Sequence, residues 1–177
     1  MIVPSPRVIT DPLEALAALP EVDGARVLLV SDAGLNAAGH VARAQSLLAT
    51  TASEGRIFLD VTPNPTSADV VACLSAAEGI DAFVALGGGS VMDVAKLAAL
   101  LRAAGGEVAD HVGVHDTGRE AALVLVPTTA GTGSDGQASA IVSDPDTHRK
   151  LACLAPGLGA DVVLLDPTLT VSCPHAV

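Results

Sequence analysis

The stretch that most constrains this chain runs from Asp81 to Lys96, DAFVALGGGSVMDVAK. A short, mostly apolar run meets three glycines. Val91, Val94, Ala95 and Ala98 then fall on one helical face. The pattern predicts a buried strand over Asp81–Leu86, a tight turn, and a helix over Ser90–Ala104 closed by Gly105-Gly106. Such a turn puts free helix N–H groups at the carboxyl end of a strand, where α/β sheets hold phosphate. Glycines let backbone approach a ligand with no Cβ in the way. Ser90 can cap the helix or offer its hydroxyl to phosphate. Neither common phosphate fingerprint is completed. Met92 stands where GxGxxG would place its last glycine, and a P-loop needs Lys-Ser/Thr after its second glycine. Taken alone, GGGS is equally readable as a structural turn.

The rest of the chain predicts a sheet to carry that turn. Val27–Ser31 and Arg56–Leu59 are short apolar strands, and Ala122–Val126 is another. Runs of this kind are buried on both faces. Helical patterns lie between them, at about 36–49 and at Ala68–Glu78, the second capped by Ser67 and ended by Gly79. Asp11-Pro12 opens an earlier helix, with Asp11 as cap, and Pro20 ends it. Arg7–Ile9 is a short edge strand. The alternation from 27 to 126 predicts right-handed crossovers. The fold class is α/β: a Rossmann-like, doubly wound, mostly parallel sheet. A turn at Asp144-Pro145-Asp146, flanked by Ser139–Ser143 and Leu151–Leu154, adds a small antiparallel hairpin near residues 139–154. Asp161–Leu165 is a further buried strand. Residues 105–120 and 166–177 read as loops. A length of 177 residues is expected to form one domain, 1–177.

Composition narrows the partners. A formal charge of −11 argues against a nucleic-acid backbone or an anionic membrane. No apolar run approaches the ~20 residues of a membrane span. The N-terminus lacks the basic and apolar segments of a secretory signal. Three cysteines without metal spacing (Cys73, Cys153, Cys173) read as reduced thiols, which points to a cytoplasmic location. His111 and His115 are four apart, a spacing two metal ligands can use, but Gly113 lies between them and no carboxylate signature surrounds them.

Two further stretches bear on chemistry. Asp32 follows the first strong strand. A carboxylate there can accept from ribose hydroxyls and repel a 2′-phosphate, which favours NAD over NADP; a helix cap is the equal alternative. Thr128, Thr129, Thr132 and Ser134 put four hydroxyls into a loop made pliable by Gly131 and Gly133. Such a loop after a core strand can wrap a cofactor.

GGGSVMDVAK and PTTAGTGSD resemble the two signature stretches of the iron-containing (group III) alcohol dehydrogenase family. VSD at 30–32, PNP at 63–65, IVSD at 141–144 and LLDPTLT at 164–170 follow in that family's order and spacing, so the resemblance covers about residues 25–174. It implies the family's N-terminal, NAD(P)-binding domain. Asp32 would read the adenosine ribose and Asn64 would lie near the adenine. Gly88, Gly89 and Ser90 would cradle the pyrophosphate, beside the motif's Asp93. Thr128, Thr129 and Thr132 would form the cofactor loop, and Lys150 would contact the cofactor. From its charge alone, Lys150 reads as a solvated surface lysine.

The resemblance also implies a reversible, NAD(P)-dependent oxidation of an alcohol to an aldehyde or ketone. The cofactor is expected to be NAD, with NADP possible. Fe or Zn is expected of the family, held by one Asp and three His of a helical C-terminal domain, but no residue here matches those ligands. Activity is therefore expected to need a helical-domain partner chain, or self-association. A non-catalytic nucleotide-binding module or a degenerate remnant is the alternative reading. Asp135 stands where the family usually has glutamate, the following GQASA differs from the usual run, and a glycine-bearing segment before the first helix is missing.

Overall fold

The computed structural model describes residues 5–171 and 173. Six strands form one parallel sheet: β1 (Arg7–Ile9), β2 (Arg26–Val30), β3 (Glu54–Phe58), β4 (Ala82–Gly87), β6 (Ala122–Pro127) and β9 (Val162–Leu164), in the spatial order β1-β9-β6-β4-β2-β3. The central strands are apolar on both faces because both are covered. On one face Leu28, Val30, Phe83, Ala85, Leu123 and Leu125 meet α3 (Ser67–Ala76) and α4 (Gly89–Ala104). On the other, Val27, Leu29, Val84, Leu86, Val124 and Val126 meet a 3-10 helix at Leu13–Ala18 and α2 (His40–Leu48). Each fully buried Val or Leu contributes about 1.5–3 kcal/mol. Small residues on α4 (Ala95, Ala98, Ala99) let its backbone lie close to the sheet. The Rossmann-like, doubly wound class expected from the alternation is the observed one.

The hairpin is also present: β7 (Ser139–Ser143) pairs antiparallel with β8 (Lys150–Leu154). A two-residue strand, β5 (Gly113–Val114), adds parallel to β8, so the small sheet has three strands. That strand, and the 3-10 helix Val108–His111 before it, lie where a loop was expected. A 3-10 helix at Pro167–Thr170 likewise replaces the expected loop there.

Other corrections come from caps. The first helix begins at Leu13 with Pro12, not Asp11, in the cap position; the Leu13 N–H donates to Asp166 Oδ2 at 2.9 Å, a partner from the far end of the chain. Thr66, not Ser67, caps α3, in a reciprocal box with Asp69. The pattern at 36–49 splits at Gly39, whose φ of 84° ends the short α1 (Ala33–Ala37) before α2 begins. No described helix is long and apolar enough to cross a membrane.

Candidate functional site

From β2 the chain turns outward to β3, whereas from β4 it proceeds to β6 and β9 on the opposite side. The carboxyl ends of β2 and β4 therefore flank the switch point, where open α/β sheets form a crevice. Ser31, buried at the end of β2, donates its hydroxyl to the Leu86 carbonyl at 2.8 Å and ties the two strand ends together. The glycines begin one residue later.

Their requirement is proximity. Gly88 has an ordinary φ of −80°. A Cβ on Gly88 would stand 3.3 Å from Thr129 Oγ1, and one on Gly89 3.2 Å from Thr132 Cγ2. On Gly87 it would overlap Val91 at 2.6 Å. The glycine turn and the threonine loop thus form one surface, joined further by Thr128 N–H donating to the Gly87 carbonyl at 3.1 Å. Gly88 is the cap of α4 and makes no side-chain cap bond. Ser90 is therefore not the cap; it sits within the first turn. The first N–H groups of a helix have no intrahelical acceptor, and here they carry the partial positive charge of a 16-residue helix. Thr129 Oγ1 is buried and without a hydrogen-bond partner. A desolvated hydroxyl left unpaired costs about 1–3 kcal/mol. An acceptor-rich anion such as a pyrophosphate fits this set: helix N–H groups, a waiting hydroxyl and glycines that leave room.

Asp32 lies at the mouth of the same crevice. One of its oxygens accepts from Leu35 N–H at 2.9 Å, so it caps α1. Its backbone bridges to Asp60, which brings the loop after β3 alongside.

Asn64 and Lys150 lie on two segments that meet at a second corner. Asn64 takes a positive φ of 55°, a conformation asparagine tolerates. The next carbonyl, of Pro65, accepts from Ser143 N–H at 2.8 Å, and Ser143 is the register partner of Lys150. Lys150 is exposed.

Asp93 is bonded to the loop that follows β6. It accepts from Ser134 Oγ at 2.6 Å and from Ile141 N–H at 3.0 Å. Burial raises its carboxyl above the usual range, against those two hydrogen bonds and the nearby Lys96. Lys96 is the residue that sequence reasoning passed over. It is fully buried. Its Nζ donates to the Ser134 carbonyl, to Ser134 Oγ at 3.0 Å, and to the carbonyls of Gln137 at 2.9 Å and Ser139 at 3.0 Å. Burial lowers the Lys96 ammonium to about 8, opposed by the carboxylates of Asp93 and Asp135. One signal pointed to it: Gly89, Asp93 and Lys96 share a helical face, and apolar residues flank Lys96 on both sides.

Among the described residues, no group of three or more His, Cys, Asp or Glu is arranged to hold a metal ion. His111 and His115 contact each other edge to face at 5.9 Å, and each Nε2 lies on a backbone carbonyl, of Gly105 and Val112 respectively. These residues do not fit a catalytic metal.

The sheet order and its switch-point crevice define a Rossmann-like, doubly wound α/β domain with an anion-shaped cradle. The chain belongs to the iron-containing alcohol dehydrogenase family, whose model matches residues 6–167. It is 34% identical over 159 residues to alcohol dehydrogenase 4 of Saccharomyces cerevisiae, covering 88% of this chain and 41% of that protein. The crystal structure of a 1,3-propanediol oxidoreductase superposes with a TM-score of 0.90 at 26% identity, over 99% of this chain and 48% of the other. Sulfoacetaldehyde reductase from Bifidobacterium kashiwanohense, solved in complex with NAD+, superposes with a TM-score of 0.84 at 26% identity, over 98% of this chain and 48% of the other. The chain thus spans less than half the length of each.

Proposed function

We propose that residues 1–177 form a single dinucleotide-binding domain, the NAD(P)-binding part of an alcohol oxidoreductase. The observation that carries this reading is the buried, unpartnered Thr129 Oγ1 set against Gly88 at the N-terminus of α4. The first-turn N–H groups and Ser90 would hold the pyrophosphate, and Thr128, Thr129 and Thr132 would close over it. Asp32 would accept from the adenosine ribose through the oxygen not spent on Leu35. Asn64 and Lys150 would meet the cofactor from the second corner. A bound NAD(P) would supply the hydride acceptor or donor for interconverting an alcohol with an aldehyde or ketone. This chain's residues would hold the dinucleotide by its pyrophosphate and adenosine ribose. Substrate activation is assigned to a helical, metal-binding partner domain, because among the described residues no group is arranged to hold a metal.

Titration of the purified protein with NADH and NADPH, followed by nicotinamide fluorescence, tests the reading. Saturable binding with NADH preferred is the expected result; no binding of either overturns it. Asp32→Gly should narrow the preference for NADH by about tenfold, the effect of losing one charge–phosphate repulsion. An unchanged ratio would reduce Asp32 to a helix cap.

A further inference from the structure

The loop that faces the glycine turn does not hold itself in place. Its course along α4 can be followed contact by contact. Thr129 stands against Gly88 and Thr132 against Gly89. Ser134 then reaches Asp93 and Lys96. The backbone turns at Gln137 and Ser139, both on Lys96, and returns to Asp93 at Ile141. Lys96 therefore sits at the base of a U-turn, and three backbone carbonyls and one hydroxyl point inward at its ammonium. Converging carbonyl dipoles repel one another unless a cation stands between them. The lysine is a cation carried on α4, and α4 is the helix whose first turn forms the other half of the cradle.

We propose that Lys96 is a positioning residue: by gathering the 134–139 carbonyls it sets Thr129 and Thr132 against Gly88 and Gly89, so the cradle's grip on a dinucleotide depends on a side chain that does not touch it. This inference rests on the cofactor reading of the crevice. Its separable content is that removing the Lys96 ammonium frees the 128–141 loop whether or not any nucleotide binds. A lysine serving only as core filler would be replaced by methionine, of similar length and greater apolarity, without loosening that loop.

Hydrogen exchange and NADH fluorescence titration on the full chain test this with Lys96→Met, Lys96→Gln and Lys96→Ala. In Lys96→Met the amides of 128–141 should exchange at least tenfold faster, while β4 and β6 keep wild-type protection and NADH affinity falls tenfold or more. Lys96→Gln keeps a neutral N–H₂ donor with a reach one bond shorter; it should fall between wild type and Lys96→Met and serves as the folded comparison if Lys96→Met does not fold. In Lys96→Ala, n-propylammonium supplies the atoms that were removed and should restore loop protection, while tetramethylammonium, which has no N–H, should not. Wild-type exchange in the loop of the methionine or glutamine variant overturns the inference, as does a freed loop with unchanged NADH affinity. Failure of the wild-type chain to bind NADH overturns the cofactor reading instead, and the exchange and rescue results still decide the clamp.

Discussion

The two ends of the contact between α4 and the threonine loop obey different rules. At the base, every partner is taken: the carboxylate of Asp93 has two donors and the ammonium of Lys96 has four acceptors. At the mouth, two turns up the same helix, Thr129 Oγ1 is buried with none, and Gly88 makes no side-chain cap bond. Both ends belong to one motif, and both are packed closely. The difference lies in where the polar groups are satisfied. A saturated base holds the loop; an unsatisfied mouth leaves its groups for something outside the chain. On this view, variants at the base should cost stability first and variants at the mouth should cost binding first.

The largest effect should come from the base. Asp93→Leu removes the acceptor of the Ser134 hydroxyl and of the Ile141 N–H, and takes a compensating charge from buried Lys96. Orphaning those groups should cost about 2–4 kcal/mol, read as a lowered urea midpoint. A midpoint within error of wild type would show that the base is not structural. Next is the mouth. Gly89→Val places side-chain carbon where Thr132 now lies and obstructs the first turn of α4. NADH affinity should fall about thirtyfold, roughly 2 kcal/mol, while the urea midpoint changes by less than that of Asp93→Leu because Thr132 is exposed and can move aside. The opposite ranking of the two variants would erase the distinction between base and mouth.

How much of this was readable in the sequence follows the same division. The strand, turn and first helical turn of Asp81–Lys96 are local: an apolar run, three glycines and a helical period are adjacent in the chain. The hairpin was readable for the same reason, from its turn formers at 144–146. What failed depends on distant partners. Asp11 looked like a cap, but the groups that hold the first helix include Asp166, 153 residues beyond Leu13. Lys96 was passed over because its acceptors are backbone carbonyls 38 to 43 residues on, and any residue type can supply a carbonyl. Thr129 was legible as one of several hydroxyls; that its oxygen is buried and unpaired is a property of packing.

A smaller effect concerns pH and the base. The Lys96 ammonium falls from 10.5 to about 8 on burial. Between those values the unfolded chain binds more protons than the folded one, so this group makes stability rise with pH. The buried thiols act the other way. Burial pushes Cys73 from 9.0 up to about 12 and Cys153 up to about 11, so above 9.0 the unfolded chain loses protons that the folded chain keeps, and stability falls. The Lys96 contribution is therefore isolated between about pH 8 and 9, where it should add about 1 kcal/mol. Urea unfolding across that window should show the rise in wild type and a flatter profile in Lys96→Gln. Equal slopes would mean that the four acceptors hold the ammonium charged throughout.

The smallest effect makes the sharpest comparison, because its two readouts should move in opposite directions. Thr129→Val keeps the side-chain shape and removes only a hydroxyl that the protein itself leaves unpaired. If the mouth holds its polar groups for a ligand, the substitution relieves a desolvation cost in the free protein. The urea midpoint should stay level or rise, by up to about 1 kcal/mol. The same substitution deletes one hydrogen bond to the cofactor, so NADH affinity should fall about fivefold, close to the net worth of a single neutral hydrogen bond. A loss of stability without a loss of affinity would show that the hydroxyl serves the fold through a bridging water, and that the mouth is satisfied much as the base is. A gain in stability paired with weaker binding would show the reverse, with the free chain bearing a small local cost at Thr129 that is removed only when the crevice is filled.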